Sequence, residues 1–159
     1  MLPFTKSGVL SVALAIVLAG VSAVGRAQDK EKVLKDRQAV MKEQGKDLQN
    51  VKAYLEGKGE LTLAKESAAN LTQTTKKIPD LFPPGTGGPN PTGDYVAKPV
   101  IWSEWNKFLD AQKTAAGKAD ALLVAVNGGE KTAIEAAFTD LGKNGCGGCH
   151  TTFREKIEK

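Results

Sequence analysis

The sequence predicts an all-α protein: an antiparallel four-helix bundle with one long crossover loop. Three observations predict it. Apolar residues recur every three or four positions along most of the chain, and the period-two alternation of half-buried strands is missing. Six of the seven prolines fall within residues 79–99, where a helix cannot continue. Short glycine-bearing breaks at 56–60 and 127–129 separate the remaining apolar stripes.

The first 27 residues stand apart from this pattern. Lys6 precedes an apolar run over residues 9–24, and the small residues Gly25 and Ala27 surround a cleavage point, as in an export signal peptide. The run is short against the roughly 20 apolar residues a spanning helix needs. Residues 1–27 are therefore expected to be a signal peptide and residues 28–159 the bundle domain, with no stable membrane insertion after cleavage. Cleavage after Ala23 and an uncleaved anchor are the alternatives. Removing Lys6 and Arg26 lowers the formal net charge from +4 to +2, too weakly basic to suggest nucleic acid as a partner.

Each helix has its own signature. The first, expected over residues 29–56, places Val33, Val40, Met41, Leu48, Val51 and Leu55 on one stripe and stops where Gly57 and Gly59 can take left-handed backbone geometry. The second aligns Leu61, Ala64, Ala68, Leu71 and Ile78 and ends at Pro79. Leu81 and Phe82 are expected to tie the crossover down. A third helix over 100–126 turns Ile101, Trp105, Phe108, Ala115, Ala119, Leu122 and Val126 inward. The fourth carries Ile134, Phe138, Leu141, Cys149, Phe153 and Ile157, with Thr132 and Glu135 at capping-box spacing near its start.

The last helix also holds "NGCGGCHTTFREK", residues 144–156, with both cysteines and the only histidine. The C-x-x-C-H spacing is that of covalent haem attachment: two thiols add to the vinyl groups of one haem, and the adjacent imidazole binds its iron. Cys146 and Cys149 lie three apart, so on a helix both sulfurs face one side, and His150 follows at once. Competing chemistries fit less well. A disulfide across so short a loop would confine the unfolded chain little. A thioredoxin-like pair wants a strand-helix-strand setting, and zinc wants four ligands where no further Cys or His exists. No Gly-rich loop follows a strand, and no free histidine remains to activate a nucleophile, so an enzyme is not expected.

The chain resembles the class II c-type cytochromes, the cytochrome c prime family. "RQAVMK" at 37–42, "LFPPGTG" at 81–87, "IWSEWNKF" at 101–108 and "CGGCHTTFR" at 146–154 carry the match across the whole mature chain. The resemblance implies one covalent haem c in the bundle near the C-terminal helix, a periplasmic location, redox partner proteins there, and a homodimer through the first two helices. It also implies that the first helix crosses the haem face opposite His150.

Met41 stands at the deciding position on that face. In the low-spin, cytochrome c-556-like branch a methionine here binds the iron and makes a six-coordinate electron carrier, and the sole mature methionine favours this. In the c prime branch the site stays open to NO or CO, with Val40 and Met41 as a steric gate. A methionine on an apolar stripe is also ordinary core filler. Arg154, one helical turn after His150, and Arg37, one turn before Met41, are candidates for the haem edge or propionates, or are solvated surface arginines. Trp102 and Trp105 line the haem or belong to the core. The expected function is electron transfer with His150 and Met41 as axial ligands; the alternative is five-coordinate gas binding.

Overall fold

The computed structural model describes residues 18–88 and 93–157, with side chains from Asp29 onward. Four long helical segments account for most of it. Helix α1 spans Leu18–Leu55 and α2 Leu61–Lys76, followed by a 3-10 turn at Ile78–Leu81. The crossover leads to a short strand β1 (Tyr95–Ala97), a single turn α3 (Val100–Ser103) and α4 (Trp105–Gly128). The last segment is composite: α5 (Lys131–Asp140), a π-helical stretch (Leu141–Gly147) and α6 (Gly148–Phe153), then strand β2 (Arg154–Lys156). The export segment expected at 1–27 lies largely outside the described residues; the backbone of 18–27 continues α1 upstream of the expected start at Asp29.

Glycines end the helices where the sequence placed the stops. Gly57 and Gly129 take φ of 71° and 81°, a left-handed geometry that costs other residues. Gly59 does not, so only one of the first pair serves as the cap. Helix α2 packs between α1 and α4, and its apolar face supplies Ala64, Ala68 and Leu71 to a core completed by Val51, Ala119, Leu122, Val126, Ile134 and Leu141. Small residues on α2 allow this close approach. Polar groups seal the α1–α2 seam: Asn70 Nδ2 donates to Asp47 at 2.7 Å and to Glu43 at 2.8 Å, and Asn50 donates to Ser67 at 2.9 Å.

A second core is aromatic and lies around the crossover. It joins Ile78, Phe82, Ile101, Phe108 and Phe153. The ring of Phe108 meets Phe82 at 4.9 Å and Phe153 at 5.3 Å, both edge-on, the arrangement that ring quadrupoles favour. Leu81 and Phe82 tie the crossover down as expected, and Trp102 helps, its indole N–H donating to the carbonyls of Phe82 and Pro83 at 3.1 Å each.

Four expectations need correction. The third helix is broken at Glu104, whose φ of −123° and ψ of 47° leave the helical region, so α3 and α4 are separate. The capping box is absent: Glu130 is the N-cap, with no side-chain cap bond, and Thr132 and Glu135 are exposed. The fourth helix ends at Phe153, so Arg154 and Ile157 lie beyond it. Strand pairing does occur, in one antiparallel ribbon that sets Tyr95 opposite Lys156, Val96 opposite Glu155 and Ala97 opposite Arg154. Three-residue strands are too short to show a period.

Candidate haem site

The C-terminal segment reaches the site through an unusual local geometry. Residues 141–147 wind as a π-helix, which is scarce in general and concentrates at functional sites. Four glycines within 142–148 lower the cost of departing from α geometry. Gly145 is buried, and a Cβ there would lie 3.0 Å from Leu141 Cδ1 and 3.4 Å from the Ala115 backbone. Its missing side chain lets the segment approach α4 closely, and Cys146 is the next residue.

Cys146, Cys149 and His150 all line one cavity of about 490 Å3, a size usual for a bound small molecule. Cys146 and Cys149 form no disulfide with each other, and both line the same side of the cavity, as the motif requires. The facing wall is α1, contributing Leu34, Arg37, Gln38, Met41 and Gln44. Ile78, Phe82, Ile101, Phe108 and Phe153 give the cavity an apolar lining, and the ribbon residues from Tyr95 to Ala97 together with Arg154 stand along it. Val40 is not among the lining residues and has no place in a gate. Trp102 and Trp105 pack behind the aromatic core, which is the core assignment.

Burial sets the electrostatics. It pushes the Cys146 thiol up, and burial together with the neighbouring Cys146 pushes Cys149 up to about 11. Such thiols stay protonated at neutral pH and are poor redox nucleophiles. Burial, with the charge of Arg154 second, holds His150 below its ordinary value, so the imidazole is neutral and keeps a lone pair for a metal.

Arg37 is the buried cation of the site, 8% exposed. Its Nε donates to the Leu81 carbonyl at 2.9 Å, and its two terminal nitrogens donate to the Thr86 hydroxyl at 2.8 Å and carbonyl at 3.4 Å. Burial lowers its pKa to about 10, still charged at neutral pH. It is not a solvated surface residue. Arg154 is exposed and lies in β2, so the helical-turn relation to His150 does not hold; its guanidinium instead stacks on Tyr95, 4.2 Å from the ring centroid. It still lines the cavity. Three buried polar residues of the lining, Gln44, Thr75 and Gln112, were not among the expected site residues. Gln44 falls three residues after Met41, where helical spacing alone would have marked it.

Thiols, imidazole, apolar walls and a buried cation in one cavity are the donor set of a c-type haem protein built on a four-helix bundle. Comparison with known proteins agrees. The family model described as cytochrome C' matches residues 32–154, and the chain belongs to that family. A cytochrome c' from Pararhodospirillum photometricum is 33% identical over 122 residues, which cover 75% of this chain and 93% of that one. The cytochrome c' structure from Thermochromatium tepidum superposes with a TM-score of 0.72 at 25% identity, covering 80% of this chain and 97% of the other. A nitric oxide complex of a variant cytochrome c prime from Alcaligenes xylosoxidans gives 0.69 at 26% identity, with 80% and 97% covered. Proteins of this family carry a covalently bound c-type haem, and the residues lining the cavity fit one.

Proposed function

We propose that this chain is an exported, periplasmic haem protein that binds a small gas molecule such as NO or CO at an open distal site. Cys146 and Cys149 hold the haem through thioethers and His150 binds its iron, while Arg154 serves the propionate edge and Arg37, bonded to Leu81 and Thr86, holds the crossover against the cavity. The haem supplies the ligand-binding and redox-active iron. This chain orients it, keeps water from its faces and offers it charge at the rim.

The observation that carries the open-site reading is the packing of Met41. Its side chain lies against the aromatic core of Ile78, Phe82, Ile101, Phe108 and Phe153, a setting that suits an apolar wall. Relatives named cytochrome c' and the nitric oxide complex of one of them support it. Optical spectra of the ferric and ferrous protein, with and without CO, test it: a high-spin ferric form and ready CO uptake are expected.

A specific observation also favours the electron-carrier reading. Met41 lines the same cavity as His150 and is the only thioether of the mature chain, so it is the one sulfur available as a second axial ligand. A low-spin ferric spectrum would select it. Both readings carry a homodimer through α1 and α2, which light scattering of the holoprotein checks.

A further inference from the structure

The inner face of the C-terminal segment changes register inside the π-helical stretch. From Ile134, α-helical spacing of three and four marks positions 138, 141, 145, 148 and 152 as inward. Ile134, Leu141 and Gly145 follow that series and are buried, but Gly148 and Thr152 are exposed. The residues one position later face inward instead: Cys149 lines the cavity and Phe153 is buried in the aromatic core. Three four-residue steps in α geometry would carry Phe153 roughly 120° round from Leu141. The wider π turn, whose hydrogen bonds join residues five apart, takes up most of that rotation.

Gly147 is where this winding meets a side-chain limit. A Cβ built there would lie 3.1 Å from the carbonyl oxygen of Gly142, five residues back and so at the acceptor position of a π turn. That is tighter than ordinary van der Waals contact, and the neighbour is backbone, which cannot swing aside as the end of a side chain can. A Cβ at Gly148 meets nothing within 4 Å. The spacing of the haem motif asks nothing of either glycine, but the fold crowds a side chain only at the first. Asp140, the last residue of α5, ties the stretch from outside the motif: it accepts from Lys118 of α4 and, at 2.7 Å, from Asn144 within the π turn.

We propose that Gly147 is a positioning residue for the haem: its missing side chain admits the π winding that turns Cys149 and His150 to the cavity beside Cys146. Alanine there favours α winding, because alanine prefers the α-helix to a greater degree than glycine does and an α turn makes no close contact with the carbonyl five residues back. With α winding carried through to Gly148, everything after it turns by roughly 100°, one residue's worth, and Gly148 takes the inward place of Cys149. The assignment rests on haem attachment through Cys146, Cys149 and His150 and adds the residue that aims them.

Gly147→Ala and Gly148→Ala are compared with the parent in exported protein matured with haem available. Peptide mass and the pyridine haemochrome band count the thioether bonds, and the electron paramagnetic resonance g values of the ferric protein sense how the imidazole meets the iron in either spin state. In Gly147→Ala the share of chain carrying two thioethers should fall about five-fold, the equivalent of roughly 1 kcal/mol of helix preference, and the g values should shift. Gly148→Ala should match the parent in both. Equal readings for the two variants would overturn the proposal even if Gly147→Ala melts earlier, since a loss of stability alone moves neither. Should Gly147→Ala not be recovered, Asp140→Ala, which unties the same stretch from outside the motif, must shift the g values, and unshifted values then overturn the proposal. A parent without covalent haem would remove the attachment reading itself, and the proposal with it.

Discussion

The guanidinium of Arg37 stacks over the ring of Phe82, its Cζ 4.0 Å from the ring centroid, while its Nε donates to the carbonyl of Leu81. One side chain of α1 thereby grips the crossover by face and by edge. Phe82 passes the contact on to Phe108 and Phe108 to Phe153, so the wall of the cavity on α1 is joined to the C-terminal segment through three rings. Arg37→Lys should break this grip, because an ammonium on a flexible stem cannot reproduce three directed donors and a planar stack. The expected loss is about 1–2 kcal/mol of stability, seen as a lower melting temperature of the holoprotein together with faster proteolysis in the crossover. A variant that melts like the parent would make the stack incidental.

Gly87 presents a steric test of the same region. A Cβ added there would lie 2.6 Å from Trp102 Cζ3, too close for any real contact, and Trp102 is held in place by its bonds to the Phe82 and Pro83 carbonyls. Gly87→Ala must therefore displace the indole or the loop, at about 1–3 kcal/mol. Thermal melts and the tryptophan emission spectrum would reveal it; an unshifted melt would mean that the loop yields without cost.

The second and fourth helices were legible in the sequence because their apolar spacing coincides with what they bury: Ala64, Ala68 and Leu71, then Ile134, Leu141 and Phe153. The haem motif was legible because its spacing is itself the chemistry. Other features were hidden for physical reasons. The break at Glu104 interrupts a segment whose apolar period runs straight through it, so no local signal marks the stop. The π-helical stretch depends on the closeness of Gly145 to Ala115, a tertiary contact. Arg154 looked helical, but its backbone pairs with Ala97 across the β ribbon. Gln44 was passed over because a glutamine on an apolar stripe reads as a solvated interruption, and only the fold shows it buried.

Asp47 predicts a pH dependence. Burial raises its pKa first, with a smaller push from the Glu43 charge, against lowering by hydrogen bonds from Asn70 and Ser67 and by the Lys46 charge. The folded protein then holds this proton more tightly than the unfolded chain. Its stabilising contribution is present below the unfolded value of about 4 and is lost as pH rises through the folded value. Asp47→Asn keeps an acceptor for Asn70 and removes the buried charge. Its melting temperature should exceed the parent's at neutral pH and converge with it in acid; a constant offset across pH would deny the titration.

Attachment of the haem through Cys146 and Cys149 predicts both a mass and a stability. The C-terminal peptide of exported protein should carry the added mass of one haem, and two alkylatable thiols in protein matured with haem would rule attachment out. The cavity walls face this cofactor with Phe82, Ile101, Phe108 and Phe153, so without it much apolar surface meets water or collapses. Cys146→Ala or Cys149→Ala should lower the melting temperature sharply, and the haem-free chain should lose its cooperative transition.

Met41→Ala separates the two readings of the distal face. In the open-site protein Met41 is an apolar wall, half-buried against Phe82 and Phe108 and their neighbours, and truncating it removes packing without touching the iron. The variant should be destabilised by about 2 kcal/mol, keep the parent's high-spin spectrum and take up CO faster, because the side chain no longer narrows the approach. If Met41 is instead an axial ligand, the parent is low-spin and binds CO slowly, and the same substitution converts it to high-spin and opens it. A thioether bound in both oxidation states favours ferrous iron and raises the potential, so the variant's potential would also fall. Spin state of the parent, CO uptake before and after, and the direction of the potential change therefore decide together; a high-spin parent whose potential hardly moves on substitution leaves Met41 as wall.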